Sequence, residues 1–101
     1  MKSKPKYLGP KQVFELGDIV LTREVFEILD DDLRFQPILG RTIHNFSTGK
    51  WGKVDEKTAW KNDMNVKRGD GRLVGVFETQ FGTLELTNTW NRERTEVRLQ
   101  Q

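Results

Sequence analysis

The chain has 101 residues, with 17 Lys or Arg, 15 Asp or Glu, one His and no Cys. The lack of cysteine excludes disulfides, thiol catalysis and cysteine-ligated zinc or iron–sulfur centres, and fits a cytoplasmic location. The length suits one domain with a single core, and no apolar run approaches the ~18 residues of a membrane span, so no membrane association is expected.

Residues 1–11 contain Lys2, Lys4, Lys6 and Lys11 and no acid, together with Pro5, Gly9 and Pro10. They read as a flexible basic leader, with Tyr7 and Leu8 as its only anchors. No apolar segment follows the first lysines, so no signal peptide is expected. Setting the leader aside leaves 13 basic against 15 acidic residues. The basic excess therefore belongs to the leader rather than to the domain, which is read as residues 12–101.

The segment Val13 to Leu21 is rich in β-branched and aromatic residues, and a strand is expected over about 17–21. Thr22 suits an N-cap, with Glu24 in the first turn where the helix dipole favours an anion. Val25, Phe26, Ile28 and Leu29 then form the apolar stripe of a first helix. Asp30, Asp31 and Asp32 oppose the dipole at its far end and read as helix punctuation. A calcium loop spaces its oxygen ligands at alternate positions and includes a glycine, and this run does neither. No metal or cofactor is expected.

Pro37 suits the first turn of a second helix, which runs through Ile38, Leu39, Ile43 and Phe46 to a stop at Ser47-Thr48-Gly49. Asp55 is an N-cap for a third helix over 56–67, ended by Gly69, with Ala59, Trp60 and Met64 on its inward face. Strands follow at 72–79, after Phe81-Gly82, and after Asn91-Arg92-Glu93. Leu84, Leu86, Asn88 and Trp90 alternate with Thr83, Glu85, Thr87 and Thr89. Thr95, Val97 and Leu99 alternate with Arg94, Glu96 and Arg98. Period-2 alternation marks half-buried strands. The expected fold is α+β: a strand, three helices and a three-stranded antiparallel meander, with the helices packed on one face of a sheet of about four strands.

No catalytic signature stands out, and an enzyme is not expected. His44 has no Ser or Asp that the sequence pairs with it, so it reads as a half-exposed structural residue. Glu78 and Glu85 lie close to one hairpin, but nothing sets their separation. The glycines of Lys67-Arg68-Gly69-Asp70-Gly71-Arg72 precede a strand rather than a helix, so this is no phosphate-cradling loop. Trp51, between Gly49 and Gly52, reads as a plug closing the helix junction or as an exposed contact. Trp90 falls on the buried side of its strand but near a turn.

The polar side of the sheet is flat and rich in hydrogen-bonding groups. It fits a protein partner, with Trp51, Trp90, Arg92, Arg94 and Arg98 as candidate contacts, since Trp and Arg dominate interface anchors. A nucleic-acid accessory role is the alternative. It would use Lys2, Lys4, Lys6 and Lys11 of the leader and the C-terminal edge at Arg92.

Gly49-Lys50-Trp51-Gly52, Asn62-Asp63, Gly71-Arg72 and the Thr-rich strand after Asn91-Arg92 together resemble a family of uncharacterised plasmid- and phage-borne proteins of similar size. Some of these are described as restriction subunits. The family pattern reads Arg-His before Gly-Asp-Trp-Gly, then Asn, Gly-Arg and Trp-Ile-Ile-Thr-Glu-Ala-Asp-Arg-Ser. Here Asn45-Phe46 replaces Arg-His, Lys50 replaces the acid before Trp51, and Asn88-Thr89-Trp90-Asn91-Arg92 replaces the Thr-Glu-Ala-Asp-Arg stretch. The spacing of Gly and Trp is kept while polar groups change. The resemblance implies a mobile-element origin and a scaffold without the chemistry such groups would carry. By analogy of size and context with anti-restriction and anti-CRISPR proteins, the expected role is a small interaction protein that inhibits a host nuclease or defence complex.

Overall fold

A computed structural model describes residues 12–100. The basic leader of residues 1–11, with its four lysines, lies outside them. Strand β1 (Asp18–Leu21) is followed by helices α1 (Arg23–Asp31), α2 (Phe35–Ser47) and α3 (Glu56–Arg68), then β2 (Leu73–Thr79), β3 (Gly82–Asn88) and β4 (Arg94–Leu99). The expected α+β order is therefore present. β2, β3 and β4 form the antiparallel meander, and β1 joins it alongside β4 in the parallel sense. The spatial order is β1-β4-β3-β2.

Alternation along the strands decides the two faces. Leu73, Leu84, Leu86 and Val97 are fully buried and pack against Val25 of α1 and Phe35, Leu39 and Phe46 of α2, with Phe14 and Trp51 in the same cluster. Phe46 makes edge-on ring contacts with Phe14, Trp51 and Phe77. One layer of helices thus covers one side of the sheet, and the molecule is only 20 Å through its thinnest dimension. Among the described residues no second layer of secondary structure lies on the other side of the sheet.

The helix ends follow local chemistry in part. Asp55 caps α3 by accepting the Thr58 N–H at 2.7 Å, and Gly69 closes it in the left-handed conformation at φ 80°. Thr22 occupies the N-cap position of α1, but its hydroxyl makes no capping bond and is buried without a partner. Its backbone N–H instead extends the sheet to the Val97 carbonyl at 3.1 Å. α2 starts at Phe35, two residues before Pro37. Proline is tolerated there because the first helical N–H groups have no intrahelical acceptor. The aspartate run is punctuation. Asp32 accepts the Arg34 backbone N–H at 3.0 Å and its guanidinium at 2.6 Å, and these bonds lower its carboxyl to about 2.

β2 lies at the sheet edge, where unpaired backbone groups invite aggregation. Here two devices satisfy it. The Asn62 side chain, 2% exposed, donates to the Val74 carbonyl at 2.8 Å and accepts its N–H at 3.2 Å, as a neighbouring strand would. The Trp51–Lys53 backbone does the same for Val76, at 2.9 and 2.7 Å. Gly52 is required at that approach: its φ is +74°, and a Cβ would stand 1.9 Å from the Val76 carbonyl oxygen.

Candidate functional site

The face of the sheet that no helix covers among the described residues is the candidate site. β2 contributes Val74, Val76 and Glu78, β3 Thr83, Glu85 and Thr87, and β4 Arg94, Glu96 and Arg98. The register sets Glu96 opposite Thr87, Arg98 opposite Glu85 and Glu78 opposite Thr83. Asp18 of β1 pairs with Arg94. Arg98 forms a 2.8 Å ion pair with Glu85, and this hydrogen bond raises the guanidinium further above its ordinary value. Near the β3–β4 turn the face holds a depression of about 210 Å³, lined by Arg72, Thr87, Thr89, Arg94 and Glu96. Two cations and one anion meet there.

The five residues expected as partner contacts separate into three groups. Arg94 is exposed on this face, and Trp90 is exposed in the turn between β3 and β4. Trp90 is 66% exposed, contrary to its place in the alternation, because β3 ends at Asn88 and the tryptophan belongs to the turn. Arg98 lies on the face but is held by Glu85.

Trp51 and Arg92 are engaged inside the molecule. Trp51 is 6% exposed, stacks on Phe14 with ring centroids 6.0 Å apart, and donates its indole N–H to Asp63 Oδ1 at 2.9 Å. It is the plug, not an exposed anchor. Arg92 is half-buried, with a left-handed φ of 63°. Its guanidinium donates to the carbonyls of Gly71 at 2.6 Å, Asn65 at 3.1 Å, Thr89 at 3.2 Å and Asp70 at 3.3 Å, and to Asn88 Oδ1 at 3.2 Å. Burial lowers its pKa from the ordinary value. Asn88 continues the network to the buried Thr95 hydroxyl at 2.9 Å, which donates to the Leu16 carbonyl at 2.7 Å. One arginine thus ties together the end of α3, the turn before β2, the β3–β4 turn and, through Asn88, the segment leading into β1.

Along the C-terminal arginine edge of the nucleic-acid alternative, Arg92 is half-buried and engaged with backbone carbonyls, Arg98 is paired with Glu85, and Arg94 is exposed. The leader lysines of that alternative fall outside the described residues. His44 is exposed on α2. A cleft of about 480 Å³ between α2 and the β2–β3 hairpin has Arg41, Lys53 and Glu78 as its titratable groups. Lys53 and Glu78 lie 3.5 Å apart there as an exposed ion pair.

Trp60 is the main residue the sequence placed wrongly. It is 64% exposed, and the inward face of α3 is formed by Asn62 and Asn65 with Ala59 and Val66 partly buried. The signal in the sequence was the flanking of Trp60 by Lys57, Lys61 and Met64, a mixed stripe unsuited to a core. No helix is long and apolar enough to cross a membrane among the described residues. Comparison of the chain with family models, with curated proteins and with solved structures found no match.

Proposed function

We propose that this chain is a small non-enzymatic interaction protein that docks the open face of its sheet onto a protein partner and blocks the surface it covers. The observation carrying this reading is a sheet face, rich in hydrogen-bonding side chains on β3 and β4, that no helix covers among the described residues. Four strands about 4.8 Å apart and about six residues long present roughly 400 Å². A standard interface takes ~800 Å² from each partner. The contact would therefore extend over the rim to Trp90 and Arg72. Arg94, exposed beside the depression, is one anchor, and Trp90, an exposed aromatic in the β3–β4 turn, is the other. Thr83, Thr87 and the Arg98–Glu85 pair supply complementarity around them.

The resemblance to plasmid- and phage-borne proteins supports a mobile-element origin. Small size and that setting support a host nuclease or defence complex as the partner, by analogy of context. The test is affinity capture from host-cell extract, with the retained protein purified and its affinity measured. Wild type is expected to retain a stoichiometric partner and inhibit its nuclease activity. Thr87→Arg and Arg94→Glu each weaken that complex at least about tenfold, as removal of an interface anchor does, without lowering the melting temperature. Equal retention by both variants would overturn the reading.

A further inference from the structure

The outward side of α3 combines an exposed aromatic with a run of cations. At 100° per residue, Lys57, Trp60, Lys61, Met64, Lys67 and Arg68 share one side of the helix. Lys57, Lys61 and Lys67 form no ion pair among the described residues, and Arg68 pairs with Asp70 at 3.4 Å. The helix carries two acids, and both lie away from the centre of this stripe: Glu56 sits in the first turn, and Asp63 receives the Trp51 indole N–H. Beside the stripe a groove of about 430 Å³ is lined by Lys61, Arg68 and Arg72 with the amides of Asn62 and Asn65.

Charge is segregated across the molecule. α3 contacts the sheet at β2, one edge, while α1 contacts β4 and β1 at the other. α1 carries Glu24, Glu27, Asp30 and Asp31 against the single base Arg23. A polyanion is therefore attracted to one end and repelled from the other.

We propose that the outer face of α3 binds single-stranded nucleic acid, at a site separate from the protein-docking face. Trp60 stacks on an unpaired base, and Lys57, Lys61 and Lys67 contact phosphates along the strand. Aromatic stacking with a cationic track is how single strands are held without sequence preference. A duplex offers the cations the same phosphates but hides its base faces from the indole. An acidic peptide satisfies the lysines and offers Trp60 no base to stack on.

The probe is a fluorescein-labelled oligothymidylate about 12 nucleotides long, titrated with the full chain and followed by anisotropy. Wild type is expected to bind it more tightly than the matching duplex. Trp60→Ala weakens binding about tenfold or more, the value of one stacked base. Lys61→Glu with Lys67→Glu weakens it further and flattens the salt dependence by about 0.7 for each phosphate no longer neutralised. Trp90→Ala, an exposed tryptophan off the stripe, leaves it unchanged. Because Trp60 is exposed, its alanine variant keeps the fold. As a second readout, strand addition quenches tryptophan emission in wild type and not in Trp60→Phe. Four outcomes would each overturn the proposal: undiminished affinity in Trp60→Ala, equal affinity for duplex, equal competition by polyglutamate, or loss of binding only when the leader lysines become glutamine. The sheet-face capture is unaffected by Trp60→Ala, so the two readings fail separately.

Discussion

Trp51→Ala is expected to lower the unfolding free energy by about 4 kcal/mol, read from a shifted urea midpoint at constant slope. The indole is buried between Phe14 and Phe46, and truncating a core aromatic removes both its transfer energy and the packing around the cavity. A domain of this size holds about 5–15 kcal/mol in total, so the variant sits near the edge of folding. Trp51→Phe keeps a ring against Phe46 and loses the bond to Asp63, costing about 1–2 kcal/mol. Asp63 is exposed and regains water, which keeps this cost small. If Trp51 were a surface anchor, alanine would leave the midpoint unmoved.

Arg92→Ala is expected to cost about 3 kcal/mol in the same measurement. Its guanidinium is the donor to four backbone carbonyls and one side-chain amide. The bonds of a charged donor contribute more than neutral ones, but they are not additive, and a half-buried site admits water to some of the orphaned acceptors. The cation also faces the Asn65 carbonyl in the last turn of α3, where the helix dipole favours positive charge. Arg92→Lys recovers less than half, because an ammonium lacks the planar fork that spans separate carbonyls. Arg92→Gly is the informative control. It loses the same bonds but relieves a left-handed backbone that costs an L-residue roughly 1–2 kcal/mol. It should therefore be more stable than alanine by about 1 kcal/mol.

Both predictions reassign residues whose types suggest contact. The chain's local signals were readable: the alternation in β3 and β4, the Asp55 cap and the Gly69 stop. Each depends on neighbours within a few residues. The misplaced residues depend on distant ones. Two faces of α3 carry apolar pairs, Ala59 with Val66 and Trp60 with Met64. The choice fell to the side where Asn62 can reach the unpaired backbone of β2, twelve residues away. Three of the five acceptors of Arg92 are carbonyls 21 to 27 residues earlier, reached because the turn directs the side chain there. Trp90 was misplaced by extending the alternation two residues beyond the end of β3. The parallel pairing of β1 with β4 brings together segments separated by three helices and two strands, which no local pattern encodes. The uncovered face was legible as polar alternation, whereas the α3 stripe became visible only with Trp60 in place.

A chain without cysteine permits a direct test of the uncovered face by single-thiol labelling. Glu96 and Val97 are neighbours in β4, one exposed and one fully buried. Glu96→Cys should react with a maleimide in the native free protein as fast as an exposed peptide thiol, while Val97→Cys reacts only through unfolding. Protection of Glu96→Cys in the free monomer, or equal reactivity of the two thiols, would contradict an open sheet face.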